Sequence, residues 1–251
     1  MRDRQIFALL RIHVIVTMGI ARKEYGAVKR LHPIDDVGND GLRLDWKVEL
    51  LNALTHGIGV VLGIVFLVML LITEVHHQRP IGIVAFAIYG GCFIFLFLAS
   101  TVYHSVPAPK VKSILRIFDH VAIFLFIAGS FTPPILLLMT GLERILLLSV
   151  IWVIAIGGTV FKAVTFRSYD RLKGVSTFLY ICMGWLGIFL VRLLLTERPW
   201  PLFALILLGG ILYSVGTVFY RMKKWKYHHV IWHLFVLAAA VAHFIGYYFY
   251  L

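Results

Sequence analysis

Charge is scarce in this chain. Only 14% of its 251 residues are Asp, Glu, Lys or Arg, against about a quarter in an ordinary soluble domain. With 61% hydrophobic residues and a mean hydropathy of +0.90, that shortage excludes a water-soluble fold and places the chain in a membrane. Cysteine is as sparse. Cys92 and Cys182 both fall inside apolar runs, where a small hydrophobe or weak donor is the default role, so no disulfide framework is read from them. Internal repeats and low-complexity tracts are lacking too, and the segments between apolar runs are too short for a second, soluble domain.

What remains is apolar sequence in long blocks. Several exceed the ~18 residues that mark a spanning helix, and in lipid a chain that is not a barrel must satisfy its backbone hydrogen bonds within helices. Gly, Pro and charge punctuation predicts helices near Val48 to Ile72, Ile81 to Tyr103, Ile117 to Thr140, Ile145 to Val164, Val175 to Leu195, Leu202 to Tyr220 and His229 to Tyr250. The expected fold is an all-α, polytopic bundle of seven transmembrane helices, consecutive ones antiparallel neighbours. Residues 46–251 form this domain. Residues 1–45, with apolar stretches broken by Arg11 and His13, read as a cytoplasmic arm, interfacial or upstream of the true start.

The net charge of +12 suggests nucleic acid at first sight. The basic residues, however, lie in short segments between apolar runs rather than on one soluble face, so no nucleic-acid partner is expected. They also alternate. Lys110, Lys112 and Arg116, then Lys162, Arg167, Arg171 and Lys173, then Arg221, Lys223, Lys224 and Lys226 fall on one side, against Arg79, Arg144, Arg192 and Arg198 on the other. The positive-inside rule then expects a cytoplasmic N-terminus and, after seven crossings, a C-terminus outside.

Ionisable residues within spans are costly and point to function, above all where several share one depth. Glu49, Asn52 and His56 open helix one from the inside, Ser100, Tyr103 and His104 close helix two there, Asp119 and His120 open helix three, and His229 and His233 open helix seven. His229 and His233 are four apart and project from one helical face, which suits two ligands on one ion. With His104 they make a three-histidine zinc site that leaves one position for water, the pattern of catalytic zinc. Val230 occupies the place where a helical zinc protease carries its glutamate, so the base must come from another helix, from Asp119 or Glu49. Asp119 is expected as the carboxylate behind the ligands, and Ser100 as donor to the water or to a developing oxyanion.

Plainer roles compete with these. His76, His77, His120 and His228 suit a headgroup-level position, and His243 a helix-packing hydrogen bond. Asp119 would alternatively pair with Arg116, and Glu49, Asn52 and His56 would form a buried polar clamp. Pro133 and Pro134 should kink or interrupt helix three, leaving carbonyls for neighbouring helices to satisfy.

Glu49-x-x-Asn52-x-x-Thr55-His56, Ser100-x-x-Tyr103-His104, Asp119-His120 and His229-x-x-x-His233 occur in the order of the hemolysin III family. The chain resembles that family from Trp46 to Tyr250. It is the bacterial branch of the progestin and adipoQ receptors, and Leu234 to Phe244 looks especially like the adiponectin receptors. The resemblance implies seven helices, a cytoplasmic N-terminus, a bacterial inner membrane location and zinc held in the inner leaflet by His104, His229 and His233, with Ser100 and Asp119 flanking the metal-bound water. It also implies a lipid as substrate or ligand, because the wider superfamily is similar to alkaline ceramidases. Three functions follow as expectations: zinc-dependent hydrolysis of a lipid amide or ester, a receptor or regulator of membrane lipid state with structural zinc, and a pore-forming cytolysin. The last is poorly served by a polytopic bundle with short loops. Neither the lipid nor the oligomeric state follows from sequence.

Overall fold

The structure, a computed structural model, describes residues 45–165, 169–196, 198–222 and 224–251, and the backbone alone for 169–173. The expected N-terminal arm and the basic residues Arg167, Arg171, Lys173 and Lys223 therefore lie outside what is described in full. Seven apolar segments long enough to cross a bilayer run through the described residues, and these contain no strand. They are α1 (Trp46–His76), α2 (Pro80–Ser105), α3 (Pro109–Leu138), α4 (Gly141–Val164), a composite fifth crossing, α7 (Trp200–Arg221) and α8 (His228–Tyr250). The fifth crossing joins α5 (Tyr169–Trp185), a 3₁₀ segment (Leu186–Leu190) and α6 (Val191–Thr196).

Helix ends follow local chemistry. Asp45 caps α1 by accepting from the Lys47 N–H at 3.0 Å. Proline stands in the first turn of α2, α3 and α7, where its missing N–H costs nothing. This is why α3 begins at Pro109 rather than at the expected Ile117, with Lys110, Lys112 and Arg116 inside the helix instead of in a loop. In the fifth crossing a single α-helix was expected. Gly184 and Gly187 flank the onset of the 3₁₀ segment, and glycine weakens α-helical preference enough to admit the tighter i→i+3 winding.

Pro133 and Pro134 do not interrupt α3, which continues to Leu138. Pro134 has no N–H for the Ser130 carbonyl, and the Tyr247 hydroxyl donates to that oxygen from α8 at 2.6 Å. The freed carbonyl is thus satisfied by a neighbouring helix.

Consecutive helices pack side by side, and α8 returns against α1. Burial is uneven: 67% of the membrane window of α3 and 56% of that of α8 is inside the protein, against 17% for the fifth crossing and for α7. Residues such as Val61, Ile64 and Val68 on α1 are exposed, as lipid-facing positions should be. Close approach of α1 to α2 depends on glycine, since a Cβ on Gly59 would stand 2.2 Å from the Phe97 ring. Buried aromatic side chains of α2 and α3, among them Phe86, Tyr89, Phe93, Phe97, Phe124 and Phe126, fill the interior.

Candidate metal centre

His104 ends α2, and His229 and His233 lie in the first two turns of α8. Nitrogen atoms of the three, one from each ring, lie within 4.8 Å of one another. Ring centroids are 5.1 Å apart for His104 and His229, 5.0 Å for His104 and His233, and 4.5 Å for His229 and His233. The i, i+4 spacing aligns the α8 pair, and the antiparallel run of α2 beside it supplies the third ring.

Two of the rings are oriented from behind. His104 Nδ1 lies 3.1 Å from Glu49 Oε2, and His233 Nδ1 lies 3.2 Å from the Asn52 carbonyl and 3.3 Å from Thr55 Oγ1. Carboxylates and carbonyls only accept, so each Nδ1 carries a proton, and in the neutral ring Nε2 is the nitrogen left with a lone pair. For His104 that Nε2 is buried with no hydrogen-bond partner in the protein. Neutral imidazoles whose far nitrogens donate to carboxylate or carbonyl oxygens are what a metal ligand set requires, so the residues fit a metal ion.

Glu49 is itself held. Lys112 Nζ, on α3, reaches Glu49 Oε2 at 2.6 Å and the Tyr103 carbonyl at 2.9 Å, and lies over the Tyr103 ring at 4.6 Å. Glu49 therefore supplies the supporting carboxylate expected of Asp119. Asp119 instead lies beside His120, Oδ2 to Nδ1 at 3.6 Å, and that Nδ1 donates to the Arg116 carbonyl at 2.7 Å. His56 adds no contact through its nitrogens, both buried without a partner; it stacks face to face on His233 at 3.6 Å. The Ser100 hydroxyl is likewise buried and unpartnered. Outside the spans, Lys226 Nζ meets Asp45 Oδ2 at 2.6 Å and ties the segment before α8 to the start of α1. The Lys226 ammonium holds the Asp45 carboxyl below its usual range.

A profile of haemolysin-III-related proteins matches residues 44–244. The chain belongs to that family. It is 45% identical over 204 residues to the "Hemolysin-3 homolog" of Bacillus subtilis (strain 168), covering 81% of this chain and 94% of that one. With the "Hemolysin-3" of Bacillus cereus it is 43% identical over 204 residues, 81% of this chain and 92% of the other. The human "Monocyte to macrophage differentiation factor" is more distant, at 32% over 163 residues, 62% and 66% of the two chains. No solved structure matches significantly.

In this haemolysin-III-related chain the histidine cluster opens on a cavity of about 460 Å³, a size typical of ligand sites. Its lining includes His56, Ser100, Asp119, His229 and His233 at one end and apolar side chains such as Phe131 and Leu194 further along. Ser100 and Asp119 thus share a wall with two of the three histidines. Tyr103, by contrast, contributes its carbonyl and ring to Lys112.

Two lysines that the charge pattern assigns to loops are internal. Lys112 is 4% exposed and braces Glu49, and Lys162 is 5% exposed in α4 and lines the cavity. Pro109 was the available signal for Lys112, because a helix starting there turns the following lysines from loop into helix. Thr55 stood in the first motif without a role and proves to touch His233.

Proposed function

We propose that this is a zinc-dependent enzyme of the bacterial inner membrane that hydrolyses a lipid amide or ester in the cytoplasmic leaflet. The carrying observation is the histidine trio, with two imidazoles backed by Glu49 and Asn52, at one end of a cavity whose walls are otherwise mainly apolar. Three neutral histidines suit zinc. Bound there, zinc supplies a Lewis acid and makes a nucleophile available at neutral pH.

The chain's own residues do the rest. His104, His229 and His233 hold the ion, and Glu49, itself fixed by Lys112, keeps the His104 ring in register. Apolar walls receive the acyl chain and exclude water from the reacting bond. Asp119 takes the proton of the attacking water and delivers it to the leaving amine or alcohol, and Ser100 donates a hydrogen bond to the reacting oxygen. Purified zinc-loaded protein should release fatty acid from long-chain amides or esters in mixed micelles. Zinc-loaded protein that leaves all of them intact would count against the enzyme.

One observation favours a second reading. Asp119 lies beside His120, Oδ2 to Nδ1 at 3.6 Å, rather than against the trio, which agrees with a receptor or regulator in which zinc ties α2 to α8.

The two supporting groups can be separated by mutation. Glu49→Gln keeps shape but loses the charge that His104 and the buried Lys112 share. Zinc affinity should fall about 10- to 100-fold, and the stranded Lys112 should lower the melting temperature. Glu49→Gln/Lys112→Met should recover stability without recovering affinity, as read by competition with a zinc chelator and by thermal unfolding in detergent. Unchanged affinity in Glu49→Gln would remove it from the site.

Loop charge supports an N-in, C-out arrangement with the trio in the cytoplasmic leaflet. A phosphatase reporter fused after Leu251 should then be active and a cytoplasm-dependent fluorescent reporter dark. The opposite pattern would turn the site toward the outside.

A further inference from the structure

About 15 Å along α8 from His233, at the ~1.5 Å rise of a helical residue, the cavity passes a closed circuit of five rings. Tyr89 on α2 meets Phe126 on α3 at 6.2 Å between centroids, and Phe126 meets Tyr213 on α7 at 6.4 Å. Tyr213 meets His243 on α8 at 5.7 Å, His243 meets Tyr247 at 6.0 Å, and Tyr247 returns to Tyr89 at 5.2 Å. All but Tyr89 line the cavity.

Four of these rings carry polar atoms. The Tyr247 hydroxyl is committed to the Ser130 carbonyl. The other three, Tyr89 Oη, Tyr213 Oη and His243 Nδ1, are buried with no hydrogen-bond partner in the protein, with Tyr89 1% and His243 8% exposed. Such groups are rare in folded proteins, and the two on the cavity wall, Tyr213 Oη and His243 Nδ1, mark a place where something else completes them.

Their chemistry is complementary. His243 Nε2 lies 3.2 Å from the Ile206 carbonyl on α7, which only accepts, so the proton is on Nε2 and Nδ1 offers a lone pair. Gly209 lets the imidazole lie against α7, since a Cβ there would stand 2.2 Å from Nε2. One fixed acceptor and one phenolic donor on the cavity wall match a neutral O–H, which donates to His243 and accepts from Tyr213. A charged group would find no counter-ion at this depth: Asp119 lies about 10 Å back along α3 from Phe126.

We propose that the ring circuit binds a hydroxyl carried mid-chain by a long-chain lipid whose polar end lies at the histidine trio. The proposal rests on the lipid reading of the cavity, not on metal or hydrolysis. An ordered water offers the same O–H, and the experiment separates the two.

Stearic acid, a hydroxystearic acid with its hydroxyl at mid-chain, and an isomer with the hydroxyl beside the carboxyl are titrated into the full-length protein in detergent, with calorimetric readout. The mid-chain acid should bind about five- to tenfold more tightly than either of the others, the gain expected of one or two net hydrogen bonds. Tyr213→Phe, which keeps ring shape, should reduce that preference while leaving stearic acid affinity and the melting temperature undiminished. Equal affinity for all three acids, together with a lower melting temperature for Tyr213→Phe, would assign the position to a water and overturn the proposal. Failure of every acid to bind would overturn the lipid reading with it, whereas binding without any lipid hydrolysis leaves this inference standing.

Discussion

Alanine at any one of His104, His229 or His233 is expected to take bound zinc from about one ion per chain to near zero. A catalytic zinc has three protein ligands, so loss of one leaves an incomplete shell that water cannot restore with comparable affinity. The controls are built into the same helix. His228 precedes the cluster and is not among the three rings that converge, and His243 is held at Ile206, so His228→Ala and His243→Ala should keep full zinc. Elemental analysis of purified protein reads the stoichiometry, and helical circular dichroism verifies that each variant is folded. His233→Ala carries an added cost, because it removes the ring that donates to the Asn52 carbonyl and supports His56, so its melting temperature should fall furthest. Stoichiometric zinc surviving in all three folded variants would sink the metal centre.

Asp119→Asn should separate chemistry from metal binding. The change keeps size and hydrogen-bonding capacity but removes the group able to take a proton. Because Glu49 and Asn52, not Asp119, orient the ligand rings, zinc content and fold should survive. Turnover of the lipid amide or ester should fall by roughly 10²- to 10⁴-fold, the usual worth of general acid-base help. Before a substrate is identified, the same variant can be compared with His229→Ala for a membrane-lipid phenotype in cells. A zinc-loaded, fully functional Asp119→Asn would favour the receptor reading, in which the Asp119–His120 contact is structural.

Some of this site could be read from sequence because it depends on distance along one helix. Seven apolar blocks fix seven crossings, since hydrocarbon leaves the backbone no alternative to helix. Placing His104 near the end of one span and His229 and His233 near the start of another then sets a common depth, and the four-residue spacing sets a common face. Helix ends were less legible where a proline extended α3 over residues that had looked like loop.

Contacts between helices were not determined that way. Sequence offers Glu49 as a clamp or a base and Asp119 as the supporting carboxylate, yet Glu49 meets His104 across 55 positions of chain and Lys112 across 63. Thr55 and Asn52 meet His233 across 178 and 181, and the circuit through Tyr89, Phe126, Tyr213, His243 and Tyr247 draws on four helices. Those pairings depend on how far each helix is rotated about its axis. In water a polar face and an apolar face set that rotation; in lipid, apolar residues cover the outer and inner faces of a span alike, and the hydropathy pattern says little about which side is inward. Close packing at positions such as Gly59 and Gly209 and hydrogen bonds between helices, such as Tyr247 to Ser130, fix it instead, and those are properties of the folded bundle.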